Sequence, residues 1–144
     1  MKTLKSVLVI ILVFTSFNVN SQSSNDLKIE RQKNRVEMFS SDERNELQIW
    51  FYHKTESMQL SDDEDNLYHG IIVLYMNKMM RLDDMDQDFT QDEIIEKVQL
   101  NFDMINSSVQ PRLSDEQYTV HLGMMDVLCE IVMLKINEVQ IETI

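Results

Sequence analysis

One short sequence pattern occurs four times in this chain and constrains its fold more than any other feature. Each copy has a large apolar residue, a Ser or Thr, two positions that are mostly acidic, and a Glu or Gln. This is the capping box, in which the hydroxyl accepts a hydrogen bond from a first-turn N–H and the Glu or Gln accepts one from the cap N–H. The copies are Phe39-Ser40-Ser41-Asp42-Glu43, Leu60-Ser61-Asp62-Asp63-Glu64, Phe89-Thr90-Gln91-Asp92-Glu93 and Leu113-Ser114-Asp115-Glu116-Gln117. They predict the starts of four helices.

The spacing of apolar residues predicts how far each helix extends. Helical periodicity follows each box and gives helices over about 41–57, 62–83, 91–108 and 115–137. The short link at 58–60 favours an antiparallel hairpin of the first two helices, and Pro111 ends the third. With only two Gly and one Pro, the chain lacks the turn residues of an all-β fold. We therefore predict an all-α domain over 39–144, with four helices in an antiparallel bundle or helical-hairpin arrangement.

The first 21 residues have the composition of a secretory signal peptide. Lys2 and Lys5 precede the apolar run 7–14, and Val19 and Ser21 suit the positions before a cleavage site at Gln22. The apolar run is shorter than the roughly 18–20 residues that cross a bilayer. We therefore predict an exported protein, periplasmic or secreted, with no stable membrane span in its mature form.

Charge separates the segment that follows from the rest of the chain. Residues 22–38 are polar and predict a flexible lead-in, which is the only basic stretch after the signal segment. The whole chain has 13 Lys and Arg against 25 Asp and Glu, a net charge of −12, and loss of Lys2 and Lys5 makes it −14. Such a surface repels phosphate backbones, so we expect no nucleic acid partner. Basic proteins, unfolded basic segments and divalent cations are the partners that this charge favours.

Methionine provides the first candidate for a binding surface. The chain has 11 Met, and the second predicted helix is apolar well beyond one face. Methionine side chains are flexible, so they form adaptable binding surfaces, fill irregular cores or, as thioether clusters, bind Cu(I). For Gly70, in the middle of this helix, we expect a close crossing with another helix, with the approach of a ligand as the alternative. The candidate binding surface is Ile72, Met76, Met79, Met80 and Met124.

An acidic loop provides the candidate metal ligands. Asp84, Asp86 and Asp88 have the D-x-D-x-D start of an EF-hand loop. That loop needs Gly at its sixth position and Glu at its twelfth, where this chain has Phe89 and Ile95. The spacing therefore excludes an EF-hand and leaves two interpretations, a weak Ca²⁺ site or a solvated acidic loop before a helix.

Motifs for catalysis are absent from the sequence. It has no G-x-S-x-G, no H-E-x-x-H and no glycine-rich phosphate loop. The single cysteine, Cys129, lies among apolar residues, so we expect it to be buried, and it excludes an intramolecular disulfide. We therefore predict a protein that is not an enzyme and has no cofactor.

The second and fourth boxes carry a resemblance to a known family. Leu113-Ser114-Asp115-Glu116-Gln117 and Leu60-Ser61-Asp62-Asp63-Glu64 resemble the L-T-x-x-Q motif of the Spy/CpxP-like periplasmic proteins, with Ser for Thr and, in one copy, Glu for Gln. The chain is also similar to short exported helical proteins of flavobacteria. The resemblance implies ATP-independent holding of unfolded clients on a helical cradle, often as a homodimer. The family's client surface is basic, whereas this chain is acidic, and the spacing between its motifs differs.

Three functional hypotheses follow for an exported, non-enzymatic interaction protein. The first is chaperone-like holding of unfolded clients in the cell envelope. The second is a small acidic structural or inhibitor-like module that binds one specific basic partner. The third is weak calcium binding through Asp84, Asp86 and Asp88.

Overall fold

A computed structural model describes residues 22–141 of the chain and shows an all-helical protein. Its five α-helices are α1 (Gln22–Asn34), α2 (Ser41–Glu56), α3 (Asp62–Met79), α4 (Gln91–Val109) and α5 (Asp115–Ile141), with a 3-10 turn at Gln110–Arg112. No β-strand occurs between residues 22 and 141, which confirms the all-α prediction. The predicted signal peptide, residues 1–21, lies outside the described residues.

The chain divides into two compact units, with the boundary between Asn34 and Arg35. In the first unit, α1 forms over most of the predicted lead-in, and its apolar residues Leu27 and Ile29 are about half exposed. The flexibility of this segment stays a prediction. The second unit contains α2 to α5 and begins before the predicted domain start at Phe39. Residues before Phe39 are joined to this unit by a hydrogen bond, in which the backbone N–H of Val36 donates to the carboxylate of Asp84 at 3.2 Å.

All four predicted capping boxes are present, and each begins a helix of the second unit. The four hydroxyls accept from the N–H three residues later at 3.2–3.4 Å, and the four cap N–H groups donate back at 2.7–2.9 Å. Two of the first four N–H groups of each helix, which have no partner within the helix, are satisfied in this way. The four predicted helix starts are therefore confirmed.

The helix ends follow local backbone chemistry. Pro111 lies in the 3-10 turn directly after α4, as its missing N–H and its effect on the preceding residue predict. α3 ends at Met79, earlier than predicted, because Arg81 and Leu82 donate to carbonyls three residues back and leave the α-helical pattern. Within residues 22–141, no helix has the combination of length and apolar character that crossing a membrane requires.

The core of the second unit is built mainly by α3, α4 and α5. Helix α3 packs against α4, α4 against α5, and α2 against α5. Contact between α2 and α3 includes rings, with Phe51 stacked on Tyr68 at 6.2 Å and edge-on to His69 at 5.7 Å. The first two predicted helices, α2 and α3, therefore contact each other through these rings, whereas the closest backbone packing is between α3 and α4. Buried apolar residues of the three core helices include Tyr68, Ile72, Met79, Val98, Phe102, Ile105, Met124, Met125, Leu128 and Val132.

Two polar contacts join α2 to α5, and each of them uses a residue of a capping box. At the start of α2, Glu43 of the first box accepts from the ammonium of Lys135 at 2.6 Å. After the end of α2, the carbonyl of Met58 accepts from the side-chain amide of Gln117, at 3.0 Å. The same Gln117 closes the fourth box by accepting from the Ser114 N–H at 2.9 Å. The side-chain amide of Gln117 therefore caps the start of α5 and also joins α5 to the end of α2.

Replacing Gln117 with Glu tests this double role. The carboxylate can still accept from Ser114, but it cannot donate to Met58 and would face that carbonyl with a negative charge. We expect the free energy of unfolding to fall by about 1–2 kcal/mol. The measurement is urea unfolding at pH 7, followed by circular dichroism. The control is Glu64→Gln, since Glu64 bonds only within its own box, and we expect it to lose much less stability than Gln117→Glu. Equal losses in the two variants would contradict the inter-helix role.

Both glycines lie on exposed helix faces, and neither allows a close helix contact. A Cβ atom built on Gly70 or on Gly123 meets no atom within 4 Å. The expected close helix crossing at Gly70 is therefore wrong, because this position of α3 faces solvent. Each glycine only adds conformational freedom to the unfolded chain, and that freedom is lost on folding.

Alanine at these positions is expected to stabilise the protein. Gly70→Ala and Gly123→Ala should each raise the free energy of unfolding by about 0.5–1 kcal/mol, because Ala has the higher helix propensity and the space is open. Urea unfolding of each variant measures the change. Leu128→Ala, at a buried position of α5, is the contrasting control and should lose about 2–4 kcal/mol. Destabilisation by either glycine variant would show that the position has a structural role.

Candidate functional site

An open groove between α2 and α5 is the candidate functional site. Its volume is about 270 Å³. Two polar contacts join these helices, at Lys135 and Gln117 towards opposite ends of α5, and the groove lies beside the first of them, since Glu43 and Lys135 both line it. Its lining residues are the apolar Phe39, Leu47, Trp50 and Ile131 and the charged Glu43, Glu46 and Lys135. The groove therefore combines an apolar surface with a charged rim.

The rim of the groove is predominantly acidic. Lys135 lies 2.6 Å from Glu43 and 3.1 Å from Glu138, so its charge is already matched by two carboxylates. The hydrogen bond from Lys135, followed by those from the Ser40 cap, lowers the pKa of Glu43 to about 2. The same carboxylates raise the pKa of Lys135. Among the described residues, Glu46 has no hydrogen-bond or ion-pair partner, so it adds a negative charge that the protein leaves unmatched.

An exposed apolar strip on α5 continues the surface of the groove. Val127, Ile131 and Leu134 follow at i, i+4 and i+7, so they share one face of the helix. Ile131 lines the groove, while Val127 is 40% and Leu134 57% exposed. Together with Trp50 they form a surface that other proteins typically use for contact, since Trp is enriched among the residues that contribute most to interfaces. We call Trp50, Leu47, Val127, Ile131 and Leu134 the groove face.

The chemistry of the groove suits binding. Among the described residues that line it, the titratable side chains are Glu43, Glu46 and Lys135, and the others are apolar. Its volume is below the about 300–1,000 Å³ of pockets for drug-sized ligands. A groove of this size fits a small number of side chains from a partner.

The predicted methionine surface is wrong for three of its five residues. Ile72, Met79 and Met124 are 5%, 1% and 2% exposed and belong to the core. Met76 and Met80 are half-buried, and Met76 packs against the same core. The reason is that α3 contacts both α4 and the rings of α2, so its wide apolar stripe is used inside the protein. The alternative interpretation, methionine as a filler of an irregular core, describes Met79 and Met124.

The three aspartates of the acidic loop are placed in different environments. Asp84 is buried, and its carboxylate accepts from Arg81 Nε at 2.7 Å and from the Val36 N–H at 3.2 Å. Asp86 and Asp88 are exposed. Among residues 22–141, no group of three or more His, Cys, Asp or Glu is arranged to hold a metal ion. Asp84 therefore joins the chain before α2 to the end of α3, and calcium binding by this loop stays a prediction.

A buried polar network joins three helices of the core. The Tyr68 hydroxyl lies 2.9 Å from His121 Nδ1, and His121 Nε2 lies 2.9 Å from the amide oxygen of Asn106. Since that oxygen accepts, Nε2 carries the proton of the ring and Nδ1 accepts from Tyr68. The ring of Tyr118 stacks on His121 at 5.6 Å. Sequence reasoning missed this network, because its members lie far apart in the chain and on three different helices.

The network is neutral at pH 7, and its Tyr68 and His121 side chains are closed to solvent. Burial lowers the pKa of His121 to about 4, and burial together with Asp65 raises the pKa of Tyr68. His121 is 0% and Tyr68 3% exposed, so a substrate has no path to either side chain. Cys129 is half-buried, short of the burial expected from its neighbours, and desolvation, followed by Asp126 and Asp103, raises the pKa of its thiol, which disfavours the nucleophilic thiolate. These groups therefore act in the structure of the core.

The buried imidazole predicts a specific dependence of stability on pH. In the unfolded chain a histidine has a pKa of about 6.5, whereas folded His121 has a pKa of about 4. Below pH 6.5 the unfolded state binds a proton that the folded state does not, so stability is lost as the pH falls towards 4. From pH 7 to pH 4.5 we expect His121 to account for a loss of about 2 kcal/mol.

Urea unfolding at both pH values, with His121→Gln, measures this contribution. The variant should be less stable at pH 7 but should lose about 2 kcal/mol less than the natural protein on acidification. His53→Gln, which removes a histidine whose side chain is 68% exposed, is the control and should keep the natural pH dependence. An unchanged pH dependence in His121→Gln would contradict the assignment.

Comparison with known proteins assigns no function to this chain, so a function has to be argued from the groove itself. No protein-family model, curated protein or solved structure matches the chain. The resemblance to the Spy/CpxP-like proteins stays a prediction that rests on the capping boxes. Those boxes act here as helix caps, and in the first and fourth of them as contacts between α2 and α5.

Proposed function

We propose that this protein is an exported, non-enzymatic helical module that binds a polypeptide partner in the groove between α2 and α5. The observation that supports this most is the combination of Trp50 with the exposed apolar residues Val127 and Leu134 beside an acidic rim. Apolar side chains anchor a partner, and the rim charges select which partner approaches. The signal-like segment at 1–21 supports the export part of the proposal.

The proposal includes an antiparallel four-helix bundle formed by α2 to α5. The contacts of Glu43 with Lys135 and of Met58 with Gln117 support an antiparallel α2–α5 pair. The hydrogen bond from Gln91 to Asn137 and that from His121 to Asn106 support an antiparallel α4–α5 pair. In such a bundle the α2–α5 seam contains the open groove, so it is the seam that would admit a partner between two helices.

Holding of unfolded clients is a second candidate function, favoured by a different surface. On α3, Leu67 and Leu74 lie seven residues apart and about half exposed, and on α4 Leu100 and Met104 lie four apart and similarly exposed. Because α3 and α4 pack together, these side chains give the pair of helices an apolar outer surface of the kind that attracts unfolded chains. Burial of Ile72, Met79 and Met124 removes the methionine surface on which this function was first argued.

A screen of displayed peptides against the immobilised protein tests the groove. We expect peptides that the natural protein retains to bind Trp50→Ala at least about tenfold more weakly, since Trp residues at interface centres commonly contribute 2 kcal/mol or more. Leu134→Glu, which changes an exposed side chain and should not disturb folding, should weaken the same peptides. Leu74→Glu on α3 is the matched control and should leave their affinities unchanged.

The opposite pattern would favour the second candidate. If no peptide is retained, or if retained peptides bind Trp50→Ala and Leu134→Glu as well as the natural protein, binding in the groove is refuted. If Leu74→Glu alone weakens binding, and also weakens suppression of client aggregation, the outer surface of α3 and α4 is the functional one. Circular dichroism of each variant verifies that the helices are intact.

A further inference from the structure

The charges and shape of the groove point to a particular kind of partner. We propose that it binds a basic amphipathic helix, in which one arginine lies over Trp50 and places its guanidinium at Glu46. This inference rests on the proposed function, because it names the partner of the same groove. It adds a chemical class of ligand and a residue, Glu46, that determines specificity.

The charge balance of the rim selects a cation. The rim and its immediate neighbour have three carboxylates, Glu43, Glu46 and Glu138, against the single ammonium of Lys135. These charges sum to −2, and because Lys135 already contacts Glu43 and Glu138, Glu46 is the carboxylate without an ionic partner in the part of the chain that the structure describes. A carboxylate at the edge of an apolar surface, where water is displaced on binding, attracts a cation more strongly than one in open solvent. The net charge of −12 also steers a basic partner towards the protein.

The neighbouring tryptophan distinguishes arginine from other basic groups. Trp50 and Glu46 are four residues apart on α2 and line the same groove, so one side chain can reach both. The planar guanidinium stacks on aromatic rings and donates two parallel hydrogen bonds to a carboxylate. An ammonium group does neither as well, so we expect arginine to bind more tightly than lysine at this position.

The strip on α5 favours a helical partner with an apolar face. Val127, Ile131 and Leu134 span seven residues, about 10 Å at 1.5 Å per residue. A partner helix with apolar residues at i, i+3 or i+4, and i+7 presents a strip of the same length, which is the common way in which grooves recognise amphipathic helices. A second copy of this protein is a poorer match, because it would bring its own acidic rim against this one.

Synthetic peptides of defined charge test the inference. Each peptide has about 18 residues, five helical turns, with Leu along one face, no Trp, and Arg, Lys, citrulline or Glu at one flanking position. Citrulline keeps the shape of arginine without its charge. Because Trp50 is the only tryptophan in the chain, its fluorescence reports binding directly. We expect the Arg peptide to bind about tenfold more tightly than the citrulline peptide, with Lys intermediate and Glu weakest.

Variants of the protein in which one carboxylate is replaced by an uncharged amide show where the arginine binds. In Glu46→Gln the preference for Arg over citrulline should fall to about twofold or less, because the carboxylate that it pairs with is gone. Glu96→Gln removes an exposed carboxylate from α4, outside the groove, and should keep the full preference. The preference should also weaken as salt is raised from about 50 to 300 mM, since ions screen exposed charges.

Each other outcome overturns the inference in a distinct way. If all the peptides bind with equal affinity, the arginine and Glu46 are refuted while binding in the groove stands. If the preference persists in Glu46→Gln, the cation binds elsewhere on the acidic surface. If no peptide changes Trp50 fluorescence and sedimentation shows a dimer that Leu134→Glu dissociates, the groove is filled by a second copy. If the displayed-peptide screen also recovers nothing, the proposed function fails with the inference.

Discussion

The contact between α2 and α5 is the constraint on which the site depends. It is made by polar groups at opposite ends, Lys135 on Glu43 and Gln117 on the Met58 carbonyl, and each uses a residue that also closes a capping box. A residue that caps a helix is already held by local hydrogen bonds, so little further entropy is lost when it contacts another helix. The two contacts lie near opposite ends of α2, and the groove opens beside the one that Glu43 and Lys135 make.

Apolar residues are divided between the core and this groove in a way that explains the choice of side chains. Met79, Met124 and Met125 fill the core, where a flexible side chain adapts to irregular space between helices. Trp50, Ile131 and Leu134 are left partly or largely exposed at the open seam. The carboxylates at the groove rim lie beside this exposed apolar face, and that combination is the basis of the proposed preference for basic partners.

Polar groups in the interior fix the relative positions of the helices. Flexible methionine side chains alone would allow several such positions. Tyr68, His121 and Asn106 form hydrogen bonds across three helices, and each bond requires one relative position of those helices. Asp84 does the same for the chain before α2, where it accepts from the Val36 N–H and from Arg81. An unpaired polar group in these positions would cost about 1–3 kcal/mol, so alternative packings of the helices are disfavoured.

The sequence by itself determined where the helices begin and that the fold is all-α, because capping and apolar periodicity are set by residues within a few positions of one another. It also excluded an EF-hand at Asp84, because the missing Gly and Glu are defined by local spacing. Only the tertiary structure decided which apolar residues are buried. It placed Ile72, Met79 and Met124 in the core and left the α2–α5 seam open, since burial depends on which helices meet, and that is settled by contacts between residues far apart in the chain.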